Sequence, residues 1–463
     1  MLWRFSTISR RTVAIATILA LSACASLAQT PDSSQPPASN SPDSIYIWPY
    51  PVEKLDSELP SWLQLGGEYR ARGEAPVGIK YTTTRDAYVL SRLRLDLEIH
   101  PTDWLILFTE GQDSRVAFNH HVANAMPYQD TWDLRQAYVQ IGNSTEGRAD
   151  LIAGRQVFSF GDERLVGPSD WLNEGRTFDA VRLDLHQNGY KLSLFASSVV
   201  VGRDGVIDHH IEGNDLYGAY GSIRSLIPGA TLEPYVFWRL APATVSLPET
   251  AHRGHLSEAT PGFHLAGGLR AAFDYDLEMD LQRGTLGVDS ISSWAGYWNF
   301  GRRFDSLPLE PHLFVEANYA TGNKNPSGTT WSTFDQIYPS SHNKLDFADQ
   351  VGRKNVEQIR AGARQSIARS WKLNETYEDI WLATIHDALY ASSGAISVAA
   401  DPAAPSRHVG QELDFWGEVE LSGGLTGGAG YGRLFAGRFL QSATPGKAYN
   451  YPFLFLTYRF TGR

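Results

Sequence analysis

From Trp62 onward, apolar and polar residues alternate with a period of two. Within Ala87 to His100, Val89, Leu93, Leu95, Leu97 and Ile99 fall on one side, and Arg92, Arg94, Asp96, Glu98 and His100 on the other. A helix would mix these two sets on every face, whereas a strand separates them. Leu63, Leu65, Tyr69 and Ala71 oppose Gln64, Glu68, Arg70 and Arg72 in the same way. Carried to the C-terminus, the pattern predicts about 18 strands between residues 62 and 460. After the first hairpin the predicted connections alternate in length. Residues 101–103, 142–148, 187–189, 225–229, 304–308, 368–370 and 422–424 are short. Residues 115–131, 158–177, 201–214, 241–262, 321–354, 385–407 and 436–449 are mostly long, with 284–290 as the exception. A soluble sandwich has no reason to segregate loop lengths by side. A transmembrane antiparallel β-barrel does, with short periplasmic turns, long extracellular loops and, for an even count, both termini in the periplasm. The expected fold class is therefore all-β. In the last strand Leu454, Leu456, Tyr458 and Phe460 share a face, as closure of the wall requires.

Between Gly154 and Leu185 the alternation gives way to something else. Its ends read as strands, with Val181, Leu183 and Leu185 opposing Arg182, Asp184 and His186. Its middle holds Gly161, Gly167, Pro168 and Gly175 among Asp162, Glu163, Arg164, Asp170, Glu174 and Arg176, with Trp171 and Phe178 to anchor it. Glycine and charge in this density predict a folded loop, turned toward the pore of a wide barrel.

Residues 1–28 read as a secretory signal: Arg4, Arg10 and Arg11, then Val13 to Leu21, then small residues, with cleavage after Ala28. Leu21-Ser22-Ala23-Cys24 alternatively reads as a lipobox that would make Cys24 a lipidated N-terminus. Residues 29–60 form a Pro- and Ser-rich periplasmic lead-in, and 61–463 the barrel. No run of 18 apolar residues follows the N-terminus, which excludes helical spans. The chain carries a net charge of −11, and residues 29–463 hold 37 bases against 51 acids, net −14, which argues against nucleic acid. Cys24 is the sole cysteine, so the processed chain has no disulfide and no thiolate metal site.

The Gly154 to Leu185 stretch resembles the corresponding segment of the alginate-export porin family of Gram-negative outer membranes. So do Thr333 to Pro339 with His342 and Phe347-Ala348-Asp349, Asp379 to Leu382 with Asp387 to Tyr390, and Gly410 to Asp414 with Gly430 to Gly437. The resemblance spans roughly 60–460, in the family's order. It implies a monomeric 18-stranded barrel whose inward loops frame an electropositive pore for a polyuronate. It further implies location in the cell outer membrane, among lipid and lipopolysaccharide, with periplasmic export machinery as a partner.

On the predicted inner faces lie Arg70, Arg72, Arg92, Arg94, Arg182, Arg239, Arg270, Arg360, Arg364 and Arg459. A guanidinium presents a fixed fork of donors that matches a carboxylate and stays charged at any relevant pH. The same faces hold Glu68, Asp96, Glu98, Glu110, Asp184, Asp276, Glu278, Asp280, Glu412, Asp414, Glu418 and Glu420, so pairing within the wall competes with a transport role. Arg155, Asp162, Arg164, Arg176 and Asp179 match the family segment and are the leading pore-lining candidates. Asp276, Glu278 and Asp280 lie on alternate positions of one strand, which suits a wet lumen better than a glycosidase pair. His120-His121 and His209-His210 lack a third ligand at useful spacing, so no metal is expected. No cofactor loop and no nucleophile constellation is evident, and no enzyme activity is expected. The reading is an outer-membrane channel for an anionic polysaccharide or oligosaccharide. Its alternatives are a small-solute porin of the same fold, which the net negative charge favours, and a barrel-anchored enzyme or adhesin.

Overall fold

The computed structural model describes residues 59–142, 148–224, 226–243, 254–269, 272–368 and 371–461. The expected signal, Cys24, nearly all of the lead-in 29–60 and Arg270 lie outside the described residues. The first strands are β1 (Leu63–Glu74), β2 (Val77–Ile79), β3 (Thr84–Arg85), β4 (Tyr88–Thr102), β5 (Leu105–Ala117) and β6 (Asp130–Gly142). There follow β7 (Ala149–Gln156), β8 (Phe178–Gln187), β9 (Tyr190–Val201), β10 (His209–Ile223), β11 (Ala230–Ala241) and β12 (Leu256–Gly268). Next come β13 (Phe273–Leu286), β14 (Asp289–Arg303), β15 (His312–Ala320), β16 (Thr330–Trp331), β17 (Val356–Ala368) and β18 (Trp371–Leu382). The last are β19 (Leu389–Tyr390), β20 (Ile396–Val398), β21 (His408–Ser422), β22 (Leu425–Ala436) and β23 (Tyr449–Thr461).

Eighteen of these form the wall: β1, β4 to β15, β17, β18 and β21 to β23. Each pairs antiparallel with the next, and β1 pairs with both β4 and β23, from Gly66↔Thr461 to Glu74↔Phe453. Closure leaves no edge, so the backbone groups of the wall can bond within the ladder outside its bulges and prolines, the condition for a sheet to persist in lipid. The register is the one that alternation predicts. Leu95 is 50% exposed on the outer face, while its neighbours Arg92 and Arg94 turn inward and are buried. Trp62, Trp104, Tyr190 and Trp371 stay exposed beside the short turns, the position of an interfacial aromatic girdle.

Three details depart from the sequence reading. Strand β12 starts at Leu256, inside the expected loop 241–262. Pro261 and Gly262 look like breakers, but Pro261 pairs with Val236 on one side, and the ladder to β13 skips Thr260 and Pro261 on the other. The missing donor therefore costs no bond there. Loop 437–448 carries a short helix, α1 (Arg438–Ala443), that buries Phe439 and Leu440. Within the long loop after β15, β16 pairs parallel with the start of β14.

Replacing Leu95 with Arg should cost about 2–4 kcal/mol if the site lies near the bilayer midplane. The same change at the inner-face Asp96 should cost much less. Urea titration of the lipid-folded barrel, read by heat-modifiable gel mobility, checks both. Equal tolerance would place the register one residue out.

Candidate functional site

Two loops turn into the barrel and meet. The first, residues 157–177, joins β7 to β8, and the second, 321–355, joins β15 to β17. Phe158, Leu165 and Val166 of the first pack with Phe334, Ile337, Tyr338, Leu345, Phe347 and Val351 of the second in one apolar cluster. A short parallel bridge joins Val166 to Tyr338. The backbone bonds Gly167 N to Tyr338 O (3.0 Å), Tyr338 N to Leu165 O (2.8 Å) and Ser340 N to Glu163 O (2.9 Å) hold it. Gly167 is required by this approach, since a Cβ there would lie 2.4 Å from Ser340 Oγ. Gly175 turns the chain back toward β8 with φ of +80°, a region that disfavours side chains.

Arginines of the wall dock the first loop. Arg70 donates to the carbonyls of Asp170 (2.8 Å), Trp171 (3.1 Å) and Leu172 (2.9 Å). Arg92 donates to Asp170 O (2.9 Å) and Leu172 O (3.1 Å), and Arg72 to Trp171 O (2.5 Å). Arg94 and Arg135 reach the Asp170 carboxylate at 3.0 and 3.3 Å. Arg70 and Arg92 stand directly opposite each other across β1 and β4. Two like charges in that position repel. The carbonyl row and Glu68, 2.5 Å from Arg92, supply the compensating negative potential. Burial alone would raise the Asp170 carboxyl, but Arg94, Arg135 and Arg92 override it and hold it well below the usual range. Trp171 lies under Arg72 (4.0 Å to the ring centroid) and stacks on His342 of the second loop at 4.0 Å.

The remaining sequence candidates divide by contact. Arg164 is 3% exposed and lies over Tyr297, pairing with Asp162 (3.0 Å) and Glu316 (3.4 Å). Asp162 also binds Lys344 at 2.6 Å. Arg176 donates to Pro339 O (2.8 Å) and Gly167 O (3.3 Å), bracing the junction of the loops. Arg155 faces Asp179 across β7 and β8 at 2.8 Å, and Asp179 also meets His210 at 2.8 Å. Arg182 pairs with Asp184 (3.4 Å), Arg360 with Glu378 (2.7 Å) and Arg459 with Glu68 (3.0 Å). Arg364 is exposed, its guanidinium over Phe314 at 4.9 Å. The acid row of β13 is drawn into the same network: Arg353 of the second loop meets Glu278 (2.5 Å) and Asp280 (3.0 Å), and Asp276 meets His264 (2.7 Å).

The sequence reading passed over one group. Asp130, Asp133 and Asp208 come together, with an oxygen of each within 4.8 Å of the others. They border a cavity of about 80 Å³ shared with Glu174 and Arg176 of the first loop. Burial, then the nearby Asp130 carboxylate, pushes Glu174 up to about 8. Burial and Asp133 push Asp208 up to about 6. The sequence pattern places Asp130 in the expected loop 115–131 and Asp133 in the strand that follows, so periodicity gave no hint of this meeting.

The sequence pattern of a family described as alginate export matches residues 61–453. No curated protein matches the chain in sequence. Among solved structures, Pseudomonas aeruginosa OpdK with vanillate superimposes with a TM-score of 0.60 at 11% identity, covering 86% of this chain and 98% of OpdK. Pseudomonas aeruginosa OpdL gives 0.59 at 11% identity, covering 86% and 99%. Pseudomonas aeruginosa OccK3 (OpdO) gives 0.56 at 13% identity, covering 89% and 99%. These likenesses show the fold.

Arg164→Ala should leave Glu316 without a cationic partner beside a void, while Asp162 keeps Lys344. Removal of one partner from a buried pair costs about 3–5 kcal/mol. The loss should fall on loop docking while the wall stays closed. Limited proteolysis of the folded barrel should then cut within 157–177 much faster than in the parent, with unchanged heat-modifiable mobility.

Proposed function

The chain belongs to the alginate export family and forms an outer-membrane channel, and from that premise we propose that its cargo is an anionic polysaccharide or oligosaccharide of the polyuronate class. The observation that carries this reading is the opposed pair Arg70 and Arg92, flanked by Arg72, Arg94 and Arg135 on one inner wall. These five cations gather beside the inward loop, where their ion-pair partners are Glu68, Glu74, Glu110 and Asp170. Arginine forks match uronate carboxylates, and a path of several weak contacts lets a polymer enter and leave. Proposed to line that path are Arg155, Asp162, Arg164, Arg176, Asp179 and Arg182 near the loop, and Arg70, Arg92, Arg94, Arg360, Arg364 and Arg459 on the wall. Buried guanidiniums act there through their fixed charge, which a low-dielectric surrounding screens little. In this reading the chain works as a monomer, without enzymatic chemistry, beside a periplasmic export partner.

A second reading, a small-solute porin, draws support from the apolar cluster in which the two inward loops pack against each other and the wall. One structural neighbour, OpdK, was solved with vanillate, a small carboxylate.

Single-channel currents separate the two. An oligouronate should block at about tenfold lower concentration than a neutral oligosaccharide of equal length, a difference of roughly 1.4 kcal/mol. Replacing Arg164 and Arg176 together with Ala should shift the reversal potential toward cations and weaken that block. Equal block by charged and neutral chains would favour the small-solute reading. Higher conductance without a change in ion preference would restrict Arg164 and Arg176 to stapling the loop.

A further inference from the structure

We propose that Asp130, Asp133 and Asp208 hold a divalent cation of the calcium type, which ties the inward loop to the barrel wall. The site is built by a β-bulge. The ladder between β5 and β6 pairs Gln112 with Asp133 and Ser114 with Asp130, so β6 carries one residue more than β5. Trp132 takes φ of +56° at this point and turns outward, 67% exposed. The extra residue restores Asp130 and Asp133 to one inner face, the re-aiming that bulges produce. Asp208 arrives from the loop before β10. Its backbone N–H donates to Asp133 Oδ1 (2.9 Å), and Asp204 fastens the same loop to Thr131 N (3.0 Å).

All three carboxyls are buried. Asp130 is 1% exposed and its Oδ1 has no hydrogen-bond partner. Glu174 Oε2, on the loop side of the same cavity, is also buried without a partner. The neighbouring cations bind mainly other groups. Arg135 holds Glu110 (2.6 Å) and Asp170, while Arg176 holds two carbonyls. Arg155 binds the Asp179 carboxylate (2.8 Å) and the Asp208 backbone carbonyl (2.8 Å), and reaches the cluster's carboxylates only through a long ion pair of 4.0 Å with Asp133 Oδ1. Carboxylates so gathered need a proton or a cation between them. A cavity of about 80 Å³ has room for an ion and a water or two, given roughly 30 Å³ per water. An all-oxygen set with adjustable carboxylates suits calcium better than magnesium, which demands a near-ideal octahedron. Glu174 lines the loop side of the same cavity outside the three-aspartate group and would reach the ion through a water, so an ion here would join loop 157–177 to β6 and to the loop before β10.

The test uses the full chain folded in detergent and stripped with EGTA. Equilibrium dialysis with radioactive calcium should find one saturable site per chain, and calcium should raise the melting temperature. Asp133→Asn and Asp208→Asn should each weaken binding by about tenfold or more, because affinity follows ligand charge count. Either should abolish the calcium-dependent shift, and Glu174→Gln should weaken binding less. Asp274→Asn, which removes a lumenal carboxylate elsewhere, should leave both readouts unchanged. Asp208 lies outside the ladder, so its variant remains informative if Asp133→Asn fails to give a heat-modifiable barrel. Absence of a saturable site in the stripped parent would overturn the proposal, as would equal binding by the Asn variants. So would variants that melt higher than the parent with or without calcium, the result expected if Asp130 and Asp208 merely share a proton.

Discussion

A loop that folds into a barrel carries its carbonyl groups away from bulk water, and each needs a donor. Here Asp170, Trp171 and Leu172 turn consecutive carbonyls to the wall, and Arg70, Arg72 and Arg92 donate to all three. The dependence runs both ways. Without the loop, Arg70 and Arg92 would be a like-charged pair directly across two strands, the destabilising arrangement on a sheet. Without the arginines, the carbonyls would be buried and unsatisfied. Wall and loop are stable together because each removes the other's electrostatic fault.

The second loop rests on the first. Its bridge at Val166 and Tyr338, the stacking of His342 on Trp171 and the contacts of Arg176 with Pro339 all use surfaces that exist once residues 157–177 are docked. Its own charges then settle the acid row of β13, where Arg353 meets Glu278 and Asp280. The interior is thus a chain of dependent pairings. Removing one buried partner leaves an uncompensated charge, so such networks resist gradual change and favour discrete docked and undocked states.

The charge count of the chain is a poor guide to its pore. A net charge of −11 suits a channel for cations or neutral solutes, yet acids and bases are sorted by position. On the wall formed by β1, β4, β5 and β6, Arg70, Arg72, Arg92, Arg94 and Arg135 cluster beside the docked loop, whereas the region around β17 and β21 gathers Glu378, Glu412 and Asp414 about Arg360. Field direction in a lumen follows such local sorting, because buried charges are screened far less than those in water.

The sequence by itself determined the wall. Lipid on one side and water on the other impose a two-residue period, and a one-residue slip would reverse every side chain, so Leu95 outward and Arg92 inward are legible in the alternation alone. Loop lengths gave the topology for the same reason, and the glycines of 161–175 marked a loop that turns sharply. Only the tertiary structure decided which partner each inward arginine takes. Arg70 finds its carbonyls 100 residues away and Arg164 finds Asn318 across 154, and no local pattern encodes a contact at that range. The aspartates at 130 and 133 were hidden for a different reason. Alternation fixes faces only while the ladder is regular, and one extra residue in β6 reverses the parity beyond it, bringing together side chains that a regular strand would hold apart.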